Sequence, residues 1–411
     1  MWKVITANTI YQVFGKGFSL AAGTLTIALV ARSLGTSGFG DYILITTVPA
    51  LLYLLADFGL NAIFLREVAR DDGHLRKFSS LLGLRLILAA VFFLLGAIYV
   101  FFSPYGGLIK LGILLGLLTV FSQAVFTSLN ALFQHNLRYD LSVLAGILSA
   151  SFGVILIVLG FLRGGGLLFF VGVWVLTAFL LTSLAFLFAR RLREGPLFSW
   201  EGVWMRRLFI LALPLGITLL FSQINGKADV FLLSLLDTSE SIGIYGLAYK
   251  VFANLLVLPL FFVNALYPVM LRDRRKSLSL LWRRLREGVL AMFLVSLVLT
   301  LLTVVFAPLA IRVLGGEGFE SSALVLRLLS LGLPLFFVTA PLQWFLITLG
   351  RERILPLIYG VAALSNVGIN LVFIPQFSYF ASIFATIFSE MVIFVLLLAV
   401  VVKLWIIRPR R

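Results

Sequence analysis

Charged side chains occur inside long apolar stretches of this sequence, where they are rare. Four of them are cations, namely Lys16, Arg85, Lys227 and Lys250. Three are carboxylates, namely Asp57, Asp229 and Glu390. A charge at the centre of a membrane helix costs about 2.5–3.5 kcal/mol on insertion scales. These side chains must therefore face a wet cavity or pair with one another.

Amides accompany several of these charges at a spacing of four residues, which places both side chains on one helix face. The pairs are Asp57 with Asn61, Lys250 with Asn254, Gln223 with Lys227, and Asn225 with Asp229, and two amides, Asn366 and Asn370, have the same spacing. Because the cations outnumber the carboxylates, the pattern predicts a site for an anionic ligand. We assign to substrate binding Lys16, Arg85, Lys227 and Lys250, together with Asn61, Asn254 and Arg66.

A structural alternative exists for each charge. Asp57 could pair with Lys16 or Arg85 to lock helices together, and Asp229 could do the same with Lys250. Arg66 and Glu67 lie together near the end of an apolar stretch, where an interfacial pair is the commoner explanation.

The carboxylates also suit a second role, which is to bind and release a coupling ion. No nucleotide-binding motif is visible, and "RGGGL" (163–167) is a lone glycine turn with no strand before it. Work against a gradient would then come from an ion such as H⁺ or Na⁺, from the membrane potential, or from removal of the product outside. Asp57, Asp229 and Glu390 are the candidates for ion coupling, with Glu67 as a gating carboxylate.

Enzymatic chemistry has little support in the sequence. There is no cysteine, and the two histidines, His74 and His135, have no metal-ligand partners nearby in the sequence. No Ser/His/Asp arrangement is visible. We therefore expect no enzyme, no resident metal and no cofactor.

The elements that must position these residues are membrane helices. The chain has 411 residues, of which 61% are hydrophobic and 12% charged, and its mean hydropathy is +1.11. Apolar runs of about 20 residues, enough to cross a bilayer, recur throughout. The sequence predicts an all-α polytopic membrane protein with twelve spans, at 4–34, 41–69, 77–102, 107–134, 139–162, 166–189, 208–236, 242–270, 284–314, 321–349, 354–374 and 378–405.

The basic residues predict the orientation. Of the 33 Lys and Arg residues, 24 belong to the termini and the even-numbered connections, and 5 belong to the odd-numbered connections. By the positive-inside rule both termini are cytoplasmic, in the cell (inner or plasma) membrane. The same rule accounts for the net charge of +16 without nucleic acid as a partner.

The two halves of the chain resemble each other. "LGTSGFGDY" (34–42) matches "LDTSESIGIY" (236–245), and a weaker match joins residues 138–160 to 353–375. Six spans separate the copies, so they are parallel repeats. We expect an N-terminal lobe of six helices at 1–200 and a C-terminal lobe of six at 201–411. Transporters built from repeats bind substrate where the repeats meet.

Longer motifs carry a family resemblance. "ADFGLNAIFLREVAR", "ALPLGITLLFSQINGKADVFLLSLL", "SIGIYGLAYKVFANLLVLPLFFVNALYPVM" and "NVGINLVFIPQFSYFASIFATIFSE" occur in order. They resemble the polysaccharide-biosynthesis flippases, the Wzx-type branch of the multidrug/oligosaccharidyl-lipid/polysaccharide exporter superfamily. The resemblance covers nearly the whole chain.

The resemblance implies two six-helix lobes around a central cavity and flipping of an isoprenoid diphosphate-linked oligosaccharide by alternating access. The partners it implies are that lipid-linked glycan, membrane lipid, and a glycan polymerase or other export machinery. The alternative is an ion-coupled drug or metabolite antiporter of the same superfamily, which for organic cations needs an acidic cavity. A membrane scaffold is a third class, and it leaves the buried cations unexplained.

The charge asymmetry generates a topology prediction. Ser277 lies in the basic connection predicted to be cytoplasmic, and the chain has no native cysteine to confuse labelling. A Ser277→Cys variant in intact cells should resist an impermeant maleimide and should react only after the membrane is opened. Labelling from outside would reverse the predicted orientation.

Overall fold

The computed structural model describes residues 2–68, 74–192 and 201–406, and all the regular elements in that part of the chain are helical. Ten of the helices are long and apolar enough to cross a membrane, or eleven if one bent pair is counted as a span. The chain is therefore a multi-pass helical membrane protein. Twelve spans were expected. The count of eleven becomes twelve if the first helix, which has a kink at Gly35, is divided there into two spans.

The described residues form two compact units, 1–220 and 221–411. The first contains α1 (Trp2–Asp57), α2 (Leu60–Val68), α3 (His74–Phe102), α4 (Gly107–His135), α5 (Tyr139–Leu162), α6 (Leu167–Ala189) and the first part of α7 (Gly202–Leu236). The second continues α7 and adds α8 (Ser239–Leu255), α9 (Val257–Lys276), α10 (Leu278–Gly315), α11 (Glu320–Ser330), α12 (Leu333–Thr348), α13 (Leu355–Phe377) and α14 (Tyr379–Ile406). The lobe boundary at 200/201 stays a prediction.

Glycine explains the kink in α1. Gly35 has φ 66° and ψ −175°, a conformation that is essentially restricted to glycine because a Cβ would clash there. It lies between the first two predicted spans, at the start of "LGTSGFGDY". The related stretch in the second half contains the break between α7 and α8, at Asp237 and Thr238. The sequence repeat thus corresponds to similar breaks in the two halves.

The second span of each half is broken. In the first unit, Phe58 and Gly59 separate α1 from α2, with φ values of 45° and 66°. In the second unit, Leu256 separates α8 from α9, and Pro259 follows within the first turn. Discontinuous helices leave backbone groups free of their usual partners, and such breaks are common where transporters bind their cargo.

Apolar side chains hold the first break in place. Phe58 packs against Phe209 with ring centroids 5.9 Å apart, and it occupies the space beside Gly216, where a Cβ would be only 2.1 Å from its ring. The buried cluster around it includes Leu60, Phe64 and Leu208. The start of α7 is therefore part of the core of the first unit.

Candidate functional site

Asp57 lies at the end of a helix, not in the middle of a continuous one. It is the last residue of α1, directly before the two residues with positive φ. Helix C-termini carry partial negative charge, so a carboxylate there needs a nearby cation. A cation near the helix break would therefore stabilise the Asp57 carboxylate.

Arg85 of α3 is this cation. Its guanidinium donates to Oδ1 of Asp57 at 2.6 Å and to the hydroxyl of Ser128 at 3.0 Å. Arg85 is fully buried, and the Asp57 side chain is 22% exposed. Of the two pairings left open by the sequence, the structure shows Asp57 with Arg85. Arg85 is thus held by Asp57 and Ser128 in this structure, and its assignment to substrate binding stays a prediction.

Asn61, one turn after the break, belongs to the same polar cluster. Its Nδ2 donates to the backbone carbonyl of Thr127 at 3.1 Å, and the hydroxyl of Thr127 is hydrogen bonded to that of Tyr53. The Oδ1 of Asn61 is buried without a hydrogen-bond partner. The cluster fastens both sides of the break to α4.

Glu67 is paired outside its own helix. Its carboxylate accepts a hydrogen bond from Arg207 of α7 at 2.9 Å, and its side chain is 8% exposed. Glu67 therefore has an arginine partner on another helix. The side chain of Arg66 lies outside the described residues, so its assignment stays a prediction.

The three lysines differ from Arg85. Lys16 on α1 is exposed, Lys227 on α7 is half-buried, and Lys250 on α8 is exposed. No described carboxylate pairs with any of them. Lys250 is close enough to Lys227 for the two charges to interact. The second unit therefore brings together two like charges that lack a counterion.

Asp229 lies on α7, two residues after Lys227, but it is surrounded by neutral donors. Its Oδ2 accepts from the hydroxyls of Tyr245 at 2.6 Å and Thr386 at 2.5 Å, and its Oδ1 accepts from Nδ2 of Asn370 at 2.8 Å. The residue is 1% exposed. The alternative in which Asp229 pairs with Lys250 is wrong for this structure.

Further polar groups extend the Asp229 cluster. Ser382 donates to Oδ1 of Asn370 at 2.7 Å, and Asn370 also donates to Oδ1 of Asn366 at 3.2 Å. Nδ2 of Asn366 is buried without a hydrogen-bond partner. The cluster thus joins α7, α8, α13 and α14 around one carboxylate.

Glu390 lies one helical turn beyond Thr386 on α14. It is 6% exposed, and it accepts a hydrogen bond from the hydroxyl of Thr339 on α12. No described cation pairs with it. Glu390 is therefore a second buried carboxyl with neutral surroundings in this unit.

Some site residues were not assigned from the sequence. Tyr245, Thr386 and Ser382 bind the Asp229 cluster, yet the sequence analysis assigned them no role. The spacing of Ser382, Thr386 and Glu390 at intervals of four residues was the available signal. Asn254 follows Lys250 by one helical turn and is exposed. The two side chains therefore lie on the same face of α8.

A family model described as "Polysaccharide biosynthesis protein" matches residues 5–272. The lipid II flippase MurJ in its inward closed conformation has a TM-score of 0.78 at 16% identity, over 96% of this chain and 87% of that one. An inward-facing multidrug resistance MATE family transporter of the MOP superfamily has a TM-score of 0.73 at 16% identity, over 95% of each chain.

A third structure, a MOP superfamily transporter from Pyrococcus furiosus, has a TM-score of 0.63 at 16% identity, over 98% of this chain and 96% of that one. At these identities the likeness to solved structures shows the fold alone. No curated protein sequence matches the chain.

The Asp57–Arg85 pair generates a stability prediction. Arg85→Ala leaves a carboxylate at a helix C-terminus without its cation, and removing one partner of a buried pair costs roughly 3–5 kcal/mol. Because Asp57 is partly exposed, we expect the lower end of that range. The apparent melting temperature of the purified protein, followed by intrinsic fluorescence, should fall clearly.

The double variant Asp57→Asn/Arg85→Ala is the control, since it removes the orphaned charge and should recover part of the loss. Lys16→Ala should leave the melting temperature unchanged, because no described carboxylate pairs with Lys16. Equal melting temperatures for the wild type and Arg85→Ala would contradict the structural role of the pair.

Proposed function

Since the chain belongs to the polysaccharide biosynthesis protein family, we propose that it is a flippase for an isoprenoid diphosphate-linked oligosaccharide. It moves this substrate from the cytoplasmic to the outer leaflet of the cell membrane by alternating access. Family membership agrees with the resemblance of the sequence motifs. The direction of transport is what the family resemblance implies, and the charge asymmetry of the connections predicts only that both termini are cytoplasmic.

The observation that carries the proposal is the pair of neighbouring cations in the second unit. Lys227 and Lys250 repel each other and have no described carboxylate as a counterion. A diphosphate would neutralise both charges and would accept charge-assisted hydrogen bonds from both ammonium groups. Lys16 offers a further cation of the same kind in the first unit.

The placement of the carboxylates favours a flippase over the antiporter. An antiporter for organic cations needs an acidic group that its cargo can reach. Asp57 is held by Arg85, Asp229 is 1% exposed and Glu390 is 6% exposed. The charges left accessible are the lysines, which attract anions. A glycan polymerase or other export machinery is the class of protein partner expected downstream of such transport.

The test is flipping of a fluorescent isoprenoid diphosphate-linked glycan in proteoliposomes. Lys227→Ala and Lys250→Ala should each lower the rate about tenfold or more, because a hydrogen bond to a charged group contributes about 1.5–3 kcal/mol. The Lys→Arg variants should keep more activity, since they retain the charge.

Lys403→Ala is the matched control, because Lys403 is an exposed lysine in the last turn of α14, outside the candidate site. It should flip the substrate at the wild-type rate. If the Lys227→Ala/Lys250→Ala double variant also does so, the anionic-ligand argument is wrong.

Asp229 is the proposed site of ion coupling. A carboxylate with almost no exposure and no cationic partner is costly in a membrane protein, which favours binding of H⁺ or Na⁺. The hydroxyl oxygens of Tyr245 and Thr386 contact its carboxylate, and oxygen is the ligand that hard cations prefer. Glu390 is a second carboxyl of this kind, whereas Asp57 already has its cation.

Asp229→Asn removes the charge and nearly preserves the shape. We expect this variant to fold, to bind lipid-linked substrate, and to lose the response of flipping to an imposed H⁺ or Na⁺ gradient. Asp57→Asn should keep that response in the molecules that fold. A normal gradient response in Asp229→Asn would rule out Asp229 as the coupling site.

A further inference from the structure

The first unit contains a cavity that has no role in the substrate-binding and ion-coupling sites described above. It has a volume of about 210 Å³ and lies between α1, α5 and α6. Its walls include Ser19, Gly23 and Thr26 of α1, Tyr42 beyond the Gly35 kink, and Trp174 and Thr177 of α6. The rest of the lining is small or aliphatic.

The chemistry of these walls favours a hydrocarbon over a sugar. The hydroxyl of Ser19 donates to the backbone carbonyl of Gly15 at 2.8 Å, and that of Thr177 donates to the carbonyl of Val173 at 2.8 Å. Both hydroxyls are thus used inside their own helices. Thr26, Tyr42 and Trp174 add only three polar groups to walls that are mostly carbon, so a sugar ring would leave most of its hydroxyls without partners, which is costly. Apolar groups need no such partners.

A cation stands on the same helix face as the cavity. Lys16, Ser19, Gly23 and Thr26 are spaced by three, four and three residues, which is the repeat of one face of an α-helix. At 1.5 Å per residue, Gly23 lies about 10 Å along the axis from Lys16. The Lys16 side chain is exposed, and no described carboxylate pairs with it. A ligand with an anionic head and an apolar chain fits this arrangement.

The size of the cavity limits how much of the chain it holds. A cavity of about 150 Å³ accommodates benzene, and an isoprene unit is slightly smaller than benzene. The cavity of about 210 Å³ therefore holds one or two isoprene units. A Cβ built on Gly23 meets no atom within 4 Å, so this glycine leaves open space beside the cavity.

We propose that this cavity binds the isoprene units nearest the diphosphate of the lipid carrier, while Lys16 binds the diphosphate itself. The inference rests on the substrate class of the proposed function and adds a chain-binding subsite to it. The first unit thereby recognises the carrier by its lipid, independently of the glycan that the carrier bears.

The test measures binding to the full chain in nanodiscs, with empty nanodiscs as the reference for partitioning. The probes are farnesyl diphosphate, dodecyl diphosphate and inorganic diphosphate. Gly23→Leu fills the cavity and should weaken farnesyl diphosphate binding about tenfold, the effect of excluding about two methylene groups from an apolar site. Inorganic diphosphate should bind this variant as it binds the wild type. Lys16→Ala should weaken binding of all three probes.

Gly17→Leu is the matched control. Gly17 is on the same helix, a Cβ there also meets nothing within 4 Å, and the residue does not line the cavity. This variant should bind every probe normally. If Gly23→Leu also binds farnesyl diphosphate normally, the inference is overturned. Equal binding of dodecyl and farnesyl diphosphate by the wild type would overturn its isoprenoid part, because it would indicate a general acyl-chain cavity.

A second measurement decides the matter if Gly23→Leu fails to fold. Gly23→Cys introduces the single cysteine of the chain, and farnesyl diphosphate should slow its alkylation by a membrane-permeant maleimide, whereas inorganic diphosphate should not. Equal alkylation rates would overturn the inference.

Failure of this inference is separate from failure of the proposed function. If Gly23→Leu binds farnesyl diphosphate normally while Lys227→Ala/Lys250→Ala stops flipping, the flippase proposal stands without this subsite. If the wild type binds none of the diphosphate probes, both are wrong.

Discussion

A charge in the hydrocarbon of a membrane must be neutralised or kept wet by the protein that carries it, and this constraint divides the carboxylates and lysines of the apolar stretches into three groups. Asp57 and Glu67 have arginine partners. Asp229 and Glu390 are surrounded by neutral donors. Lys16, Lys227 and Lys250 have neither kind of partner among the described residues. Structural roles fit the first group, ion binding fits the second, and an anionic ligand fits the third.

The sequence predicted the membrane-spanning helices because they depend on local composition, whereas the orientation stays a prediction. The length of each apolar run and the number of Lys and Arg residues in each connection can be read directly from the sequence, because neither depends on contacts between distant segments. The internal repeat was visible for the same reason, since "LGTSGFGDY" and "LDTSESIGIY" each mark a break after a long helix. Side-chain spacing also indicated that the buried polar residues lie on common helix faces.

The details of the site depend on contacts between distant segments, which the sequence left open. A single glycine inside a helical pattern is usually tolerated, so Gly59 alone did not predict the break, and the positive φ of Phe58 is held by packing against Phe209. The choice of Arg85 over Lys16 for Asp57 required the position of α3. The sequence left open a pair between Asp229 and Lys250, yet hydroxyls of α8 and α14 donate to Asp229 instead.

The Asp57–Arg85 pair also bears on how the chain enters the membrane during synthesis. Its partners are 28 residues apart, so they belong to consecutive spans and emerge from the ribosome close together. The two spans can enter the bilayer as one hairpin in which the charges already neutralise each other. Glu67 and Arg207 are 140 residues apart, so the Glu67 carboxylate has no arginine partner until the first six spans have been synthesised. Until then the unpaired Glu67 carboxylate costs little free energy, because it lies near the end of its span, where water can solvate it.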